Sequence, residues 1–448
     1  MSKIYLFSVA WLLAAFFYWT LVSDRTHKPY PRVDHWIQAA QCAQSSGKYM
    51  VTCTEHRLVP IEDVSLADDR GHTLILSALA HLGGIQPTHN VLRVLNLSLN
   101  ALGVLLISLL LHRFRLPLAA AAMNALGAIW TGSRAGADVD AAYLAAALFA
   151  LGGCFFLFLM TSGDPDQVNA KKVLFPATFV HGVLTFLLLM TSVFLRQPIG
   201  LSGIVAALAG ICFLLLSVRK SPFRRTYLLR SILALGIIWV ALQSPKSVAE
   251  LRNRTLDIQP KGISGHGISH NLFLGLGGYV ENKFGIIWDD QYAKNLIERL
   301  YPGVEYCSDE YFRLIGKLYL QYVKSDPAEA LRIYLLKAGR TLGTAHGATL
   351  PSAMTLILLG LTLWYRQTRG IIHSNQEKLL IGTTTLLGLS FLAQGILTHP
   401  AWTYIHPGPM LLILALLMAL DPAVQRLDRF QQIIGNFRSI KSTTKIPN

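Results

Sequence analysis

The chain has 448 residues, 52% of them hydrophobic and only 15% charged, with a mean hydropathy of +0.42. A soluble protein carries ~25% charged residues, so this composition excludes a soluble enzyme, and apolar runs of ~20 residues recurring along the chain place it in a membrane. The net charge of +15 gathers in short loops between those runs, a pattern of topology and lipid contact that excludes nucleic acid as a partner.

The first run, 4–22, follows Lys3. Phe16, Phe17, Tyr18 and Trp19 stand where a signal peptide needs small residues, so it reads as an uncleaved span. A polar stretch, 24–72, follows, with Asp24, Asp34, Glu55, His56, Arg57, Glu62, Asp63, Asp68, Asp69, Arg70 and His72. Within this first loop, 38–45 suits a short surface helix. The amphipathic 73–84 is too short to cross and is expected at the interface. Spans two to seven are expected at 94–111, 118–130, 141–160, 175–195, 200–218 and 229–242. The hydrophilic region 243–349 combines glycine-rich turns with helical periodicity over 309–342, enough for a small subdomain on the membrane face. Spans eight to ten are expected at 350–365, 379–397 and 409–420, before a basic tail. The expected fold is an all-α integral membrane protein of about ten transmembrane helices, with interfacial helices in the first external loop and a small external subdomain. Its units are a membrane domain, 1–242, with a catalytic first loop, 23–92; the external subdomain, 243–349; and C-terminal helices and tail, 350–448.

The positive-inside rule orients these spans. An amino terminus inside puts the basic loops 112–115, 171–172, 219–225 and 366–378, and the basic tail, in the cytoplasm. The opening loop, 134–140, 196–200, 243–349 and 398–407 then lie outside.

That orientation gathers the candidate residues on one face. Asp34 opens an amphipathic helix just after span one, where a carboxylate suits a general base for a hydroxyl near the headgroups and equally a helix N-cap. Asp68 and Asp69 precede the interfacial helix, as caps or as acceptor contacts. Arg93 and Arg196 sit at outer span ends, against the charge trend. An anionic group at the surface accounts for them, as does snorkelling or an ion pair. Asp138 and Asp140 either pair with Arg134 or frame a cleft. In GISGHGISHNLFLGLGGYVENKFGIIWDD, His266 and His270 are four apart, but Gly267 argues against a regular helix and so against zinc. Glycine-rich backbone beside His270, Asn271, Asn282 and Lys283 suits a phosphate or sugar, or a turn-rich surface loop. His399, Trp402, Tyr404 and His406 form the last external loop, for sugar stacking or an aromatic belt. Of five cysteines, Cys154 and Cys212 lie in apolar runs and Cys307 has no evident partner. A Cys42–Cys53 disulfide is open if the first loop faces an oxidising compartment. No metal-ligand cysteine spacing is present.

The layout resembles that of the polytopic GT-C glycosyltransferases. The segments that carry this are DHWIQAAQCAQSSGKY, DDRGHTLILSALAHLGG, VLRVLNLSLNALGVLL, RAGADVDAAYLAAALFAL and SVFLRQPIGLSGIVAAL. The resemblance implies a bacterial inner-membrane enzyme with both termini cytoplasmic and its site on the other face. It would move a sugar from a polyprenyl-phosphate donor to a glycan, lipid or protein acceptor. Asp34 would be the base. Arg196, with His270, Lys283 and Arg93, would hold the donor phosphate, and Asp68, Asp69, His266 and Asp138 would serve the acceptor or secondary roles. No metal ligands are assigned, and the one cofactor left open is a divalent metal ion, because no second carboxylate adjoins Asp34. The competing readings are an O-antigen polymerase or ligase, which places its main loop late, and a secondary transporter, which needs mid-span ionisable residues and paired broken helices.

Overall fold

The computed structural model describes residues 3–22, 31–54, 57–63, 70–133, 142–161, 174–217, 219, 224–259, 267–278, 281–343, 350–371, 375–400 and 405–422. They form an α-helical array with one small hairpin, in which β1 (Val51–Cys53) pairs antiparallel with β2 (Leu58–Pro60). Among the described residues, seven helices are long and apolar enough to cross a membrane. They are α1 (Lys3–Val22), α4 (His89–Arg113), α6 (Tyr143–Thr161), α7 (Leu174–Leu195), α8 (Gln197–Ser217), α9 (Arg224–Leu256) and α15 (Asn375–Leu397). The other expected spans fall on the shorter helices α5 (Pro117–Ser133), α14 (Ser352–Thr368) and α16 (Pro407–Pro422). The chain is a multi-pass, all-α membrane protein.

α6 lies at the centre of the array, buried along nearly its whole length. Its sequence is rich in alanine and glycine, which lets neighbours approach closely. A Cβ on Gly203 of α8 would fall 2.6 Å from the Ala150 Cβ of α6. α1, by contrast, leaves Ile4, Phe7, Trp11 and Leu21 exposed, a face suited to lipid.

Three differences from the expected layout follow from physical causes. The surface helix expected at 38–45 is α2 (Pro31–Ser46), which begins earlier. Proline is favoured at a first helical position because its missing N–H is not needed there. Asp34 thus lies inside the first turn rather than at the cap, in register with the helix dipole. The interfacial segment forms α3 (Arg70–Gly83), with Gly71, His72, Thr73, Leu76, Ser77 and Ala80 buried. Finally, α9 runs without a break from Arg224 to Leu256, past the polarity change at residue 243. At 33 residues it is about 50 Å long, well beyond a ~30 Å hydrocarbon layer. Its polar end serves as a post for the first loop.

Beyond α9, the helices α10 (Ile268–Gly275), α11 (Asp290–Leu300), α12 (Asp309–Ser325) and α13 (Pro327–Gly343) enclose a second apolar core. Phe273, Leu276, Ile286, Ile297, Ile315 and Ile333 are among its members.

Candidate functional site

The site is organised by one face of α4. His89, Arg93, Asn96 and Asn100 recur at helical spacing along an otherwise apolar helix, and each fastens a different element. Thr88 caps the helix, its hydroxyl accepting from the Val91 N–H. His89 Nε2 then donates to Asp34 Oδ1 of α2 at 3.0 Å. Arg93 is buried and its Nη2 donates to the Thr20 carbonyl near the end of α1. Asn96 Oδ1 lies 3.0 Å from His72 Nε2 of α3. Asn100 Oδ1 accepts from the Ala145 N–H at the start of α6, satisfying one of the donors that a helix N-terminus leaves open.

The other elements close around this spine. The Trp36 ring of α2 lies parallel to the His72 ring, centroids 4.7 Å apart. A Cβ on Gly71 would fall 2.7 Å from the Phe194 carbonyl carbon, so only glycine lets α3 sit against the end of α7. Arg196 forms the joint between α7 and α8. It is buried, with its guanidinium 4.8 Å from the centroid of the Tyr143 ring. Tyr143 opens α6 and lies parallel to His406, just before α16, at 6.4 Å. The starts of α4, α6, α8 and α16 and the end of α7 therefore share one side of the array with α2 and α3.

The first loop is pinned to that side twice. The Cys42–Cys53 disulfide ties α2 to β1. Glu62, in the short 3₁₀ turn Ile61–Asp63, is buried between two arginines. Its Oε1 lies 3.2 Å from Arg70 Nε, and its Oε2 lies 2.7 Å from Arg252 Nη1 on the extension of α9. Arg252 Nη1 also donates to the Met50 carbonyl, and Arg70 Nη1 to the Pro245 carbonyl. A buried carboxylate shared by two guanidinium groups resists separation, because losing one partner strands charge out of water.

The expected site residues divide accordingly. Asp34 is half exposed, with side-chain accessibility of 57%, and its Oδ2 has no partner among the described residues. Arg93 is buried and turned to the Thr20 carbonyl at the carbonyl end of α1, which favours a cation. His270 is fully buried inside the subdomain. Its Nδ1 lies 2.7 Å from the Tyr311 hydroxyl and its Nε2 lies 3.0 Å from Asp290 Oδ1, so both ring nitrogens serve the subdomain's own packing. Lys283 is exposed, its Nζ 3.8 Å from Asp326 Oδ2. Asp68, Asp69, His266 and Asp138 lie outside the described residues, as do Asp24, Arg134, Asp140, Trp402 and Tyr404.

Where it is described, the glycine-rich stretch approaches the chain itself. A Cβ on Gly275 would fall 2.2 Å from the Leu397 carbonyl oxygen, and one on Gly277 would fall 2.3 Å from that of Ile286. Asn282 staples the turn, its side chain bonding both the N–H and the carbonyl of Ile286. Lys337 Nζ completes the joint, donating to the Gly275 carbonyl at 2.8 Å and the Thr398 carbonyl at 2.6 Å. His399, beside it, packs its ring against Trp288 at 5.1 Å. Burial pushes Lys337 down to about 7. Burial also lowers His399, with the charges of Lys337 and Arg340 adding to the effect.

Around His270, the Tyr306, Tyr311 and Cys307 groups are each pushed towards their protonated form. Burial raises Tyr306 and Tyr311, and the Asp290 carboxylate adds to both. Burial lifts Cys307 to about 11, opposed in part by its hydrogen bond with Tyr306. These groups remain protonated and hold the subdomain together.

Sequence reasoning missed His89, Asn96, Tyr143 and Lys337. The i, i+4, i+7, i+11 series His89, Arg93, Asn96, Asn100 was the available signal. For a metal ion, Asp34 and His89 supply two donors, and among the described residues no cluster of three or more His, Cys, Asp or Glu is formed. Two donors do not make up a metal centre.

No family model and no curated protein matches the chain. A solved structure, the archaeal oligosaccharyltransferase AglB from Archaeoglobus fulgidus in complex with an inhibitory peptide and a dolichol-phosphate, aligns with a TM-score of 0.48 and 11% identity. The alignment covers 98% of this chain and 52% of that one, so the chain spans about half the length of the protein it matches. A likeness at this distance assigns no reaction to the chain.

Proposed function

We propose that the chain is a membrane glycosyltransferase of GT-C type, moving a sugar from a polyprenyl-phosphate donor to an acceptor hydroxyl on the face outside the cytoplasm. The observation that carries the reading is the Asp34 carboxylate. It is presented by the first turn of α2, open at Oδ2, on the side of the array where Arg196 is also held. Asp34 Oδ2 takes the proton of the acceptor hydroxyl as its oxygen attacks the anomeric carbon. The bond from that carbon to the phosphate oxygen breaks, and the lipid phosphate leaves with the bonding pair. Arg196 is the cation that stabilises this developing charge, and its packing on Tyr143 sets the plane of its donors. The isoprenoid chain lies between spans in the lipid. On this reading the protein sits in a bacterial inner membrane with both termini cytoplasmic, and glycans, lipids or proteins supply the acceptor.

The test is incubation of the purified protein with polyprenyl-phosphate mannose and polyprenyl-phosphate arabinose, with a membrane lipid extract as acceptor. Release of polyprenyl phosphate by the wild type, lost in Asp34→Asn, is the expected result. Release of lipid diphosphate from a lipid-linked oligosaccharide instead indicates a polymerase or ligase. Substrate passage into liposomes without bond cleavage indicates a transporter.

A further inference from the structure

The contacts along α4 are unequal. Asn96 with His72, and Arg93 with the end of α1, are buried and tie α4 to α3 and α1, while Trp36 of α2 stacks on His72. The remaining one, His89 Nε2 to Asp34 Oδ1 at 3.0 Å, is open to solvent on both sides, with side-chain accessibilities of 47% and 57%. Exposed pairs of this kind add little to stability. The contact does something else well. It fixes one carboxylate oxygen and thereby aims the other, and it does so from a helix whose first residue is set by the Thr88 cap and whose next turn is locked by Arg93.

We infer that His89 is the positioning residue of the catalytic carboxylate: Nε2–H holds Asp34 Oδ1 so that Oδ2 faces the acceptor hydroxyl. The inference rests on glycosyl transfer with Asp34 as base. The imidazole keeps its proton throughout. The proton of the acceptor goes to Oδ2, the acceptor oxygen bonds the anomeric carbon, and the lipid phosphate departs with the electrons of the broken bond. Without His89 the carboxylate rotates freely about its side-chain torsions, and the fraction of time spent in the reactive orientation falls.

The experiment compares His89→Ala, His89→Gln, Asp34→Asn and the Asp34→Asn/His89→Ala double variant with the wild type, in the polyprenyl-phosphate release assay. His89→Ala is expected to lower kcat about 10- to 100-fold with donor KM and melting temperature unchanged. His89→Gln, whose amide N–H reaches the same oxygen, restores most of that loss. The double variant is no slower than Asp34→Asn alone, because His89 acts only through Asp34. Full kcat in His89→Ala, or a further loss in the double variant, overturns the positioning role while leaving Asp34 as base. No release by the wild type with either donor overturns the underlying reaction and this role with it. A fall in melting temperature that tracks the loss of kcat, without rescue by Gln, shows a structural contact and overturns the inference too.

Discussion

Two histidine–aspartate pairs of equal length sit in the two halves of this molecule, and their histidines have opposite surroundings. His89–Asp34 and His270–Asp290 both span 3.0 Å from Nε2 to Oδ1. The His89 side chain is 47% accessible and that of His270 is 0% accessible. His270 uses its second nitrogen on Tyr311 and packs against Tyr306, while Nδ1 of His89 and Oδ2 of Asp34 make no hydrogen bond with a described residue. A hydrogen bond alone therefore does not mark a reactive pair. What separates the two is the histidine: the carboxylates are almost equally accessible, 57% for Asp34 and 56% for Asp290, but the His270 ring is enclosed and that of His89 is not. The closed pair, with its histidine enclosed, links α10 to α11 and α12, and the open pair links α4 to α2.

The sharpest way to break this comparison is to remove the carboxylate from each pair. Asp34→Asn keeps the size and the acceptor oxygen for His89 but lacks a base, so transfer is expected to fall roughly 10²- to 10⁴-fold, with the thermal melt unmoved. Asp290→Asn is expected to leave transfer intact. The reverse pattern, in lipid-phosphate release and melting curves, would exchange the roles of the two pairs.

Next in size is the anchor of the open half. Glu62→Gln leaves Arg70 and Arg252 facing each other without their shared carboxylate, and breaking such a buried pair costs about 3–5 kcal/mol. The first loop is expected to release from the α9 extension, seen as faster proteolysis within 47–63 and a lower melting temperature. The disulfide still ties α2 to β1 in that variant, so the loss is local. An unchanged cleavage rate would show that the apolar contacts of Trp36, Met50 and Ile61 suffice alone.

His270→Ala probes the closed half. It empties a ring-sized space and strands the Tyr311 hydroxyl, a cost of roughly 2–4 kcal/mol. The matching change in the open half, His89→Ala, is expected to shift stability by less than about 1 kcal/mol. Chemical denaturation in detergent compares the two directly.

The difference between the halves is only partly legible in the sequence. Apolar runs are visible because a lipid-facing helix must be apolar over its whole length, and each expected span falls on a helix. The extent of α9 is not visible, since a change to polar residues marks the exit from lipid and not the end of a helix. The first turn of α2 is misplaced because Asp reads as a cap, although Pro31 already marks the first helical position. The role of the glycines at 275 and 277 depends on Leu397 and Ile286, and long-range backbone approach leaves no local pattern. His270 and His89 look alike as isolated letters. The helical spacing of His89 with Arg93, Asn96 and Asn100 is the cue that separates them, because polar residues kept on one face of a span face protein rather than lipid.

The smallest expected effect lies at the joint between the two halves. Lys337 is buried against the carbonyls of Gly275 and Thr398, with His399 and Arg340 as its titratable and charged neighbours. Burial holds it at about 7, against ~10.4 for a free lysine. Between those values the unfolded chain binds a proton that the folded chain lacks, so stability rises with pH. Read downwards, acidification from pH 8 to pH 7 should cost about 1 kcal/mol. Neutral His399, also lowered by burial, adds a loss of the same sign at lower pH. From pH 7 to about 8, below the range in which Cys307, Tyr306 and Tyr311 ionise in the unfolded chain, melting temperatures should therefore climb in the wild type. In Lys337→Met, which has no proton to bind, the slope over that window should flatten whatever the absolute stability. An equal slope in both proteins would mean that the joint keeps its lysine charged, held by the two carbonyls, and that the subdomain docks through an ionic contact.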